Sequence, residues 1–108
     1  QTAQIGLVTH VVDLFDFSPS DNRAEVGIVI DAPYRCKGFA AESLRLLATY
    51  ARRVLQLNQL YAKVLAEHQI ARKLFRQCGY SEVATLPQWV FSEGCYKDVC
   101  VYQCVFEK

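Results

Sequence analysis

The sequence predicts a single mixed α+β domain over residues 1–108, with elements in the order β-β-α-β-α-β-β. Three observations carry that prediction. Two segments show apolar residues at helical spacing, and five are dense in β-branched and aromatic residues. The first helix connects two strands as a crossover, which makes that pair parallel and right-handed, whereas the flanking strands form antiparallel hairpins. The sheet is therefore mixed and mostly antiparallel, with helices packed on its faces. A doubly wound nucleotide-binding domain would need more strand–helix–strand units.

Residues 5–17, IGLVTHVVDLFDF, read as one strand. SPSDN at 18–22 supplies a turn, with Pro and Asn providing the backbone geometry. RAEVGIVI follows as a second strand, with Glu25, Gly27 and Val29 on one face and Val26, Ile28 and Ile30 on the other. Over 39–57, Ala40, Leu44, Leu47, Ala51 and Val54 recur in steps of four and three, while Glu42, Arg45, Arg52 and Arg53 lie off that stripe. This is an amphipathic helix of about five turns. QLYAKVL at 59–65 is a short strand. Ile70, Leu74 and Cys78 share one face of a helix over 69–78, which Gly79 ends. YSEVATLPQWVF and YKDVCVYQCVF close the chain as two strands about a turn at Glu93 and Gly94.

Composition narrows the function classes. At 108 residues the chain can bury one modest core. No window approaches the roughly 18–20 apolar residues of a membrane span. A net charge of +1 gives no global field for nucleic acid or an acidic membrane. Methionine is absent and the chain starts at Gln1, which leads us to expect a piece of a longer gene product. The five cysteines, without a secretory signal, read as reduced thiols of a cytoplasmic protein. They form no C-x-x-C pair. On one strand Cys100 and Cys104 would lie about 13 Å apart at ~3.3 Å per residue, too far to share a zinc. No metal site is expected.

Attention falls on DAPYRCKGFAAES at 31–43, where a turn leads into two cations, a glycine and the start of a helix. A helix start presents unpaired N–H groups and the positive end of the helix dipole, and glycine lets a ligand approach the backbone. Arg35 and Lys37 add charge to a site already disposed to take an anion. The alternative is an ordinary strand–turn–helix junction with two solvated cations. A Walker loop fails because Phe, not Lys-Ser/Thr, follows Gly38, and a dinucleotide fingerprint fails because there is one glycine.

What fits is R-x-x-G-x-A: Arg35, Cys36, Lys37, Gly38, Phe39 and Ala40. Between a strand and a helix it resembles the acyl-CoA pyrophosphate loop of the GNAT superfamily of N-acetyltransferases. RAEVGIVIDAPYRCKGFAAESLRLLATYA looks like that family's strand–loop–helix motif throughout, and LYAKVLAEHQIARKLFRQCGY is similar to its next strand and helix. WVFSEGCYKDVCVYQCVF looks like the closing hairpin of the branch holding ribosomal-protein N-terminal and spermidine acetyltransferases.

The resemblance implies acetyl-CoA as co-substrate, its pantetheine lying between two splayed parallel strands. Ile28, Val29 and Ile30 would offer backbone to it and an N–H to the thioester carbonyl. Residues 35–40 would wrap the pyrophosphate, and the second helix, from His68 to Arg76, would flank the cofactor. An amine of lysine type has a pKa near 10.4, so direct attack requires a base. Glu25 is the candidate, with a surface or salt-bridged carboxylate as the alternative.

Three departures stand out. His68 replaces an Asn common at the start of the second helix; it reads as a proton shuttle or, more plainly, a helix cap. Phe75 replaces a Tyr that commonly protonates the leaving thiolate, so release goes unassisted, a nearby Tyr substitutes, or CoA binds without turnover. The family's first strand and helical pair, which wall the acceptor pocket, are missing from the front of the chain.

The expected function is acetyl transfer to a small-molecule amine such as spermidine or spermine, or to a protein N-terminus. Asp13, Asp16 and Glu25, with Glu93 and Asp98, are compatible with a polyamine pocket, and equally with ordinary surface charge. The alternatives are a non-catalytic CoA-binding or interaction module and an α+β domain whose loop binds nothing. An exposed edge at the front would favour a homodimer, and Trp89, Phe91 and Tyr96 would line an interface or pack on the hairpin.

Overall fold

The computed structural model describes the backbone of residues 3–7, 10–30 and 39–106, and the side chains of 13–27 and 40–106. Strands β1 (Ala3–Leu7), β2 (His10–Ser18) and β3 (Arg23–Ile30) are followed by helix α1 (Phe39–Arg53), β4 (Gln59–Leu65), α2 (Gln69–Gln77), β5 (Ser81–Ser92) and β6 (Cys95–Val105). The six strands form one sheet in the order β1-β2-β3-β4-β6-β5. All neighbours are antiparallel except β3 and β4. The mixed α+β architecture matches the sequence expectation, with one added strand.

The addition comes from the front. The run 5–17 is two strands, paired from Ala3 with Leu14 to Leu7 with His10. Between them the sequence has Val8 and Thr9, which carry no turn signature, so residue pattern alone reads the run as continuous. The other early turn lies where SPSDN places it: the amides of Asp21 and Asn22 donate to the Ser18 carbonyl at 3.2 and 2.8 Å.

Helix α1 buries Ala40, Leu44, Leu47 and Ala51, as its spacing predicts. It ends at Arg53, a turn earlier than expected, and Val54 is exposed. The chain then bends through Gln56 (φ 55°) and buries Leu57, whose amide donates back to Ala51. In α2 the most buried side chain is Phe75, while Ile70 is exposed, so the stripe through Ile70 is displaced by one residue at the core. Gly79 sits just past the helix end at φ +92°, a conformation that favours glycine.

Register shows how the core is built. Leu14 faces Val26, Ala24 faces Leu60, Leu60 faces Cys104, Ala62 faces Tyr102 and Val64 faces Cys100. These residues share one side of the sheet and join Leu44, Leu47, Ala51, Phe75 and Tyr80 in a single cluster. Both helices thus pack on the same side. Phe75 stacks on Tyr102 with ring centroids 6.0 Å apart and meets Tyr80 edge-on at 5.0 Å. No helix among the described residues is long and apolar enough to cross a membrane. The opposite side of the sheet carries no helix among the described residues.

Candidate active site

The parallel pair β3–β4 has three rungs: Arg23 with Gln59, Ala24 with Leu60, and Glu25 with Tyr61. Both strands continue, to Ile30 and Leu65, without pairing further. The Asn22 carbonyl accepts from the amides of Asn58 and Gln59 at 2.7 and 3.4 Å, which pins the paired end. Beyond Glu25 and Tyr61 the strands part. The backbone of β3 over 26–30 still pairs with β2 on its other side, and its β4-facing polar groups have no strand partner among the described residues.

Glu25 occupies the last rung and points to the helix-free side of the sheet. Its side chain is 11% exposed, and Lys63 Nζ lies 3.8 Å from Oε1. Burial pushes its pKa above the ordinary carboxylate value. Lys63 opposes that rise, the charge of Asp16 adds to it, and the Tyr61 hydroxyl opposes it. A carboxyl whose pKa is raised by burial is a stronger proton acceptor than a solvated one.

Tyr61 and Lys63 were not singled out in the sequence. The alternation in QLYAKVL was the available signal, since Leu60, Ala62 and Val64 take the core side and leave these two beside Glu25. The Tyr61 hydroxyl donates to Asp16 Oδ2 at 3.0 Å, and its own pKa is pushed up to about 12, first by burial and then by that bond. Lys63 Nζ stands 5.9 Å from the Trp89 ring centroid, within cation–π reach. A shallow groove of about 250 Å³ on the same side is lined by Arg23, Gln59, Tyr61, Val83, Val101 and Gln103.

Of the five acidic residues read as a pocket, the structure brings three to this side: Asp13, Asp16 and Glu25. Asp13 Oδ1 is buried with no hydrogen-bond partner among the described residues. The other two serve the distant hairpin. Glu93 binds Lys97 at 3.3 Å, and Asp98 Oδ1 accepts the Gln88 amide at 2.9 Å.

The cofactor residues are placed unevenly. Arg35, Cys36, Lys37 and Gly38 lie outside the described residues. Phe39 and Ala40 open α1, and Ala40 is buried. Ile28, Val29 and Ile30 lie on the stretch of β3 beyond Glu25, which pairs with β2 but not with β4. His68 caps α2, its Nδ1 accepting the Ala71 amide at 3.2 Å, which is the capping role read from sequence. It lines a groove of about 390 Å³ with Leu65, Glu67, Gln69 and Ile70, where β4 gives way to α2. Arg76 Nη1 donates to the Tyr102 hydroxyl at 3.3 Å. Arg72 Nε donates to the same oxygen at 3.1 Å, and the hydroxyl donates to Glu82 Oε1 at 2.7 Å.

Phe75 is 1% exposed and has no proton to give. The neighbouring Tyr80 hydroxyl is buried without a partner among the described residues, and burial raises its pKa. Unpaired backbone on β3 and a carboxyl at the apex fit an extended acyl-CoA arm laid into the gap. Among the described residues no group of three His, Cys, Asp or Glu side chains could hold a metal.

Comparison with known proteins is consistent with this geometry. The profile of the acetyltransferase (GNAT) domain matches residues 2–81. The chain is similar to the spermidine N(1)-acetyltransferase of Escherichia coli (strain K12), 31% identical over 97 residues, covering 90% of this chain and 52% of that protein. An N-acetyltransferase of Bacillus subtilis (strain 168) is 28% identical over 83 residues, covering 77% of this chain and 47% of its own. The chain spans about half the length of these relatives. A Vibrio cholerae spermidine N-acetyltransferase, solved with CoA and spermine, superposes at a TM-score of 0.85 with 28% identity, covering 90% of this chain and 57% of that one.

Proposed function

The chain belongs to the GNAT acetyltransferase family, and from that premise we propose that it takes part in acetyl transfer from acetyl-CoA to a primary amine, with a polyamine as acceptor. The observation that carries the reading is the three-rung β3–β4 ladder with Glu25 at its open end. When bound, acetyl-CoA supplies the acetyl group as an activated thioester. Residues 35–40 would hold its pyrophosphate, and the backbone of 28–30 would hold the pantetheine and supply an N–H to the thioester oxygen. Glu25 would take the ammonium proton so that the free amine can attack the thioester carbon; the C–N bond forms, the C–S bond breaks, and CoA leaves as a thiolate that takes a proton from solvent.

The acceptor follows from charge. Asp13, Asp16 and Glu25 share the helix-free side, and the buried Asp13 oxygen lacks a hydrogen-bond donor among the described residues. Cationic ammonium groups suit such a surface. The relatives named for spermidine favour the same acceptor class.

Phe75 favours a second reading, CoA binding without turnover, because the proton donor at that position is lost. Calorimetric titration of acetyl-CoA, with Gly38→Asp as control, followed by an amine panel led by spermidine and including a peptide N-terminus, separates the two. Binding abolished by Gly38→Asp, with thiol released in the presence of spermidine, is the expected result. Binding without turnover would replace the enzyme reading with the second one. No binding to either protein would sink both.

A further inference from the structure

Asp16 and Tyr61 stand on strands that are not neighbours, since β3 runs between β2 and β4. Yet the Tyr61 hydroxyl donates to Asp16 Oδ2 at 3.0 Å, so the phenol spans β3 at the level of Glu25, its partner in the last rung. Asp16 reaches that position through a backbone irregularity. The β2–β3 register shifts between Phe15 and Ser18, and Asp16 has φ 54°. Aspartate tolerates this conformation better than most residues, and a bulge re-aims the side chain it carries. The result is a strap across the paired end of the splay, with Glu25 beneath it.

Resting on the reading of Glu25 as the base, we propose that Tyr61 is a positioning residue for acetyl transfer: anchored by Asp16, its phenol holds Glu25 at the mouth of the splay. The groups facing Glu25 are Asp13, Phe15 and Asp16 from β2, Arg23 and Gly27 from its own strand, and Tyr61 and Lys63 from β4. Gly27 keeps the surface low beside it, because a Cβ there would meet the Phe15 ring at 3.0 Å.

Two substitutions act in opposite directions. Tyr61→Phe removes a hydroxyl that favours the ionised carboxyl, so the Glu25 titration moves to higher pH. Asp16→Asn removes a like charge, so the titration moves to lower pH. A Tyr61 that merely packs would leave the titration in place in Tyr61→Phe, whereas the Asp16→Asn shift reports the charge of Asp16 itself. The measurements are the pH profile of kcat/KM and, with no substrate present, the 13C titration of the Glu25 carboxyl by NMR. Tyr61→Phe is expected to lower kcat about tenfold, a fraction of what a general base contributes, with KM for acetyl-CoA unchanged and the acidic limb displaced upward. Asp16→Asn displaces it downward. A carboxyl titration unmoved in Tyr61→Phe overturns the proposal, whatever the activity. Titrations that move as expected in a protein that acetylates no amine retain the strap and reject the enzyme reading. Should Tyr61→Phe fail to fold, Asp16→Ala set against Asp16→Asn carries the test: both remove the charge, only Asp16→Ala removes the phenol's acceptor, and equal Glu25 titrations in the two would overturn the proposal.

Discussion

On β4, Leu60, Ala62 and Val64 enter the core with no more than 7% of each surface exposed, whereas Tyr61 and Lys63, one residue out of step, stand beside Glu25 on the opposite side. The same contrast holds on β3, where Ala24 and Val26 are buried against the helices and Glu25 is buried without them. On the helix side, burial is matched by apolar contact, and the Tyr102 hydroxyl is tied into a side-chain network, although that of Tyr80 is buried without a partner among the described residues. On the other side, burial falls on a carboxyl and lifts its pKa. The two-residue alternation of a strand thus lets one segment build the core on one face and carry a buried carboxyl with its polar partners on the other.

Substitutions on each face should separate these roles. Glu25→Gln is expected to lower the acetylation rate about 10²–10⁴-fold, read by release of CoA thiol, without lowering Tm. A comparable loss of Tm would merge the two faces. Leu60→Ala, on the adjacent rung but facing the core, should cost about 2–5 kcal/mol in denaturant unfolding. Well below its midpoint it should keep the affinity for acetyl-CoA.

A third test uses pH. The folded state raises Glu25 above its ordinary value of 4.5, so the native protein holds that proton more tightly than the unfolded chain. Its contribution to stability is complete below pH 4.5 and is lost as pH rises through the folded pKa. Glu25→Gln should therefore raise Tm at pH 7 relative to wild type, and the gain should shrink toward pH 4. A constant difference at both pH values would remove Glu25 as the source. The smallest effect belongs to the exposed pair Arg23–Asp21, 2.9 Å apart with both side chains about half exposed. Arg23→Ala should change stability by roughly 0–1 kcal/mol, less in high salt.

The core side of the molecule was the more legible in the sequence. Helix spacing identified Leu44, Leu47 and Ala51, and the turns at 18–22 and at Glu93 and Gly94 carried recognisable residues. Both turn residues of the hairpin have positive φ, 54° and 79°, as a tight hairpin requires. The division of 5–17 was hidden because Val8 and Thr9 favour strand. Glu25 was singled out by the family resemblance, and strand parity placed it on the face with Gly27 and Val29. Asp16 was grouped with Glu25 by charge alone, and Tyr61 was not linked to either, because their meeting depends on a parallel crossover 36 residues later and on a bulge. Neither leaves a mark in local residue pattern.

One consequence follows from the shortness of the β3–β4 ladder. The sheet consists of two antiparallel leaves, β1-β2-β3 and β4-β6-β5, stitched by three rungs. Each leaf is well sewn within itself, while the seam between them depends on those rungs, the helices behind and the strap of Tyr61. An extended ligand hydrogen-bonded along the gap would act as a splint, stiffening the whole molecule across its weakest line. Amide exchange at 26–30 and 62–65 should therefore slow together on binding, while the hairpin tip at Glu93 and Gly94 keeps its rate.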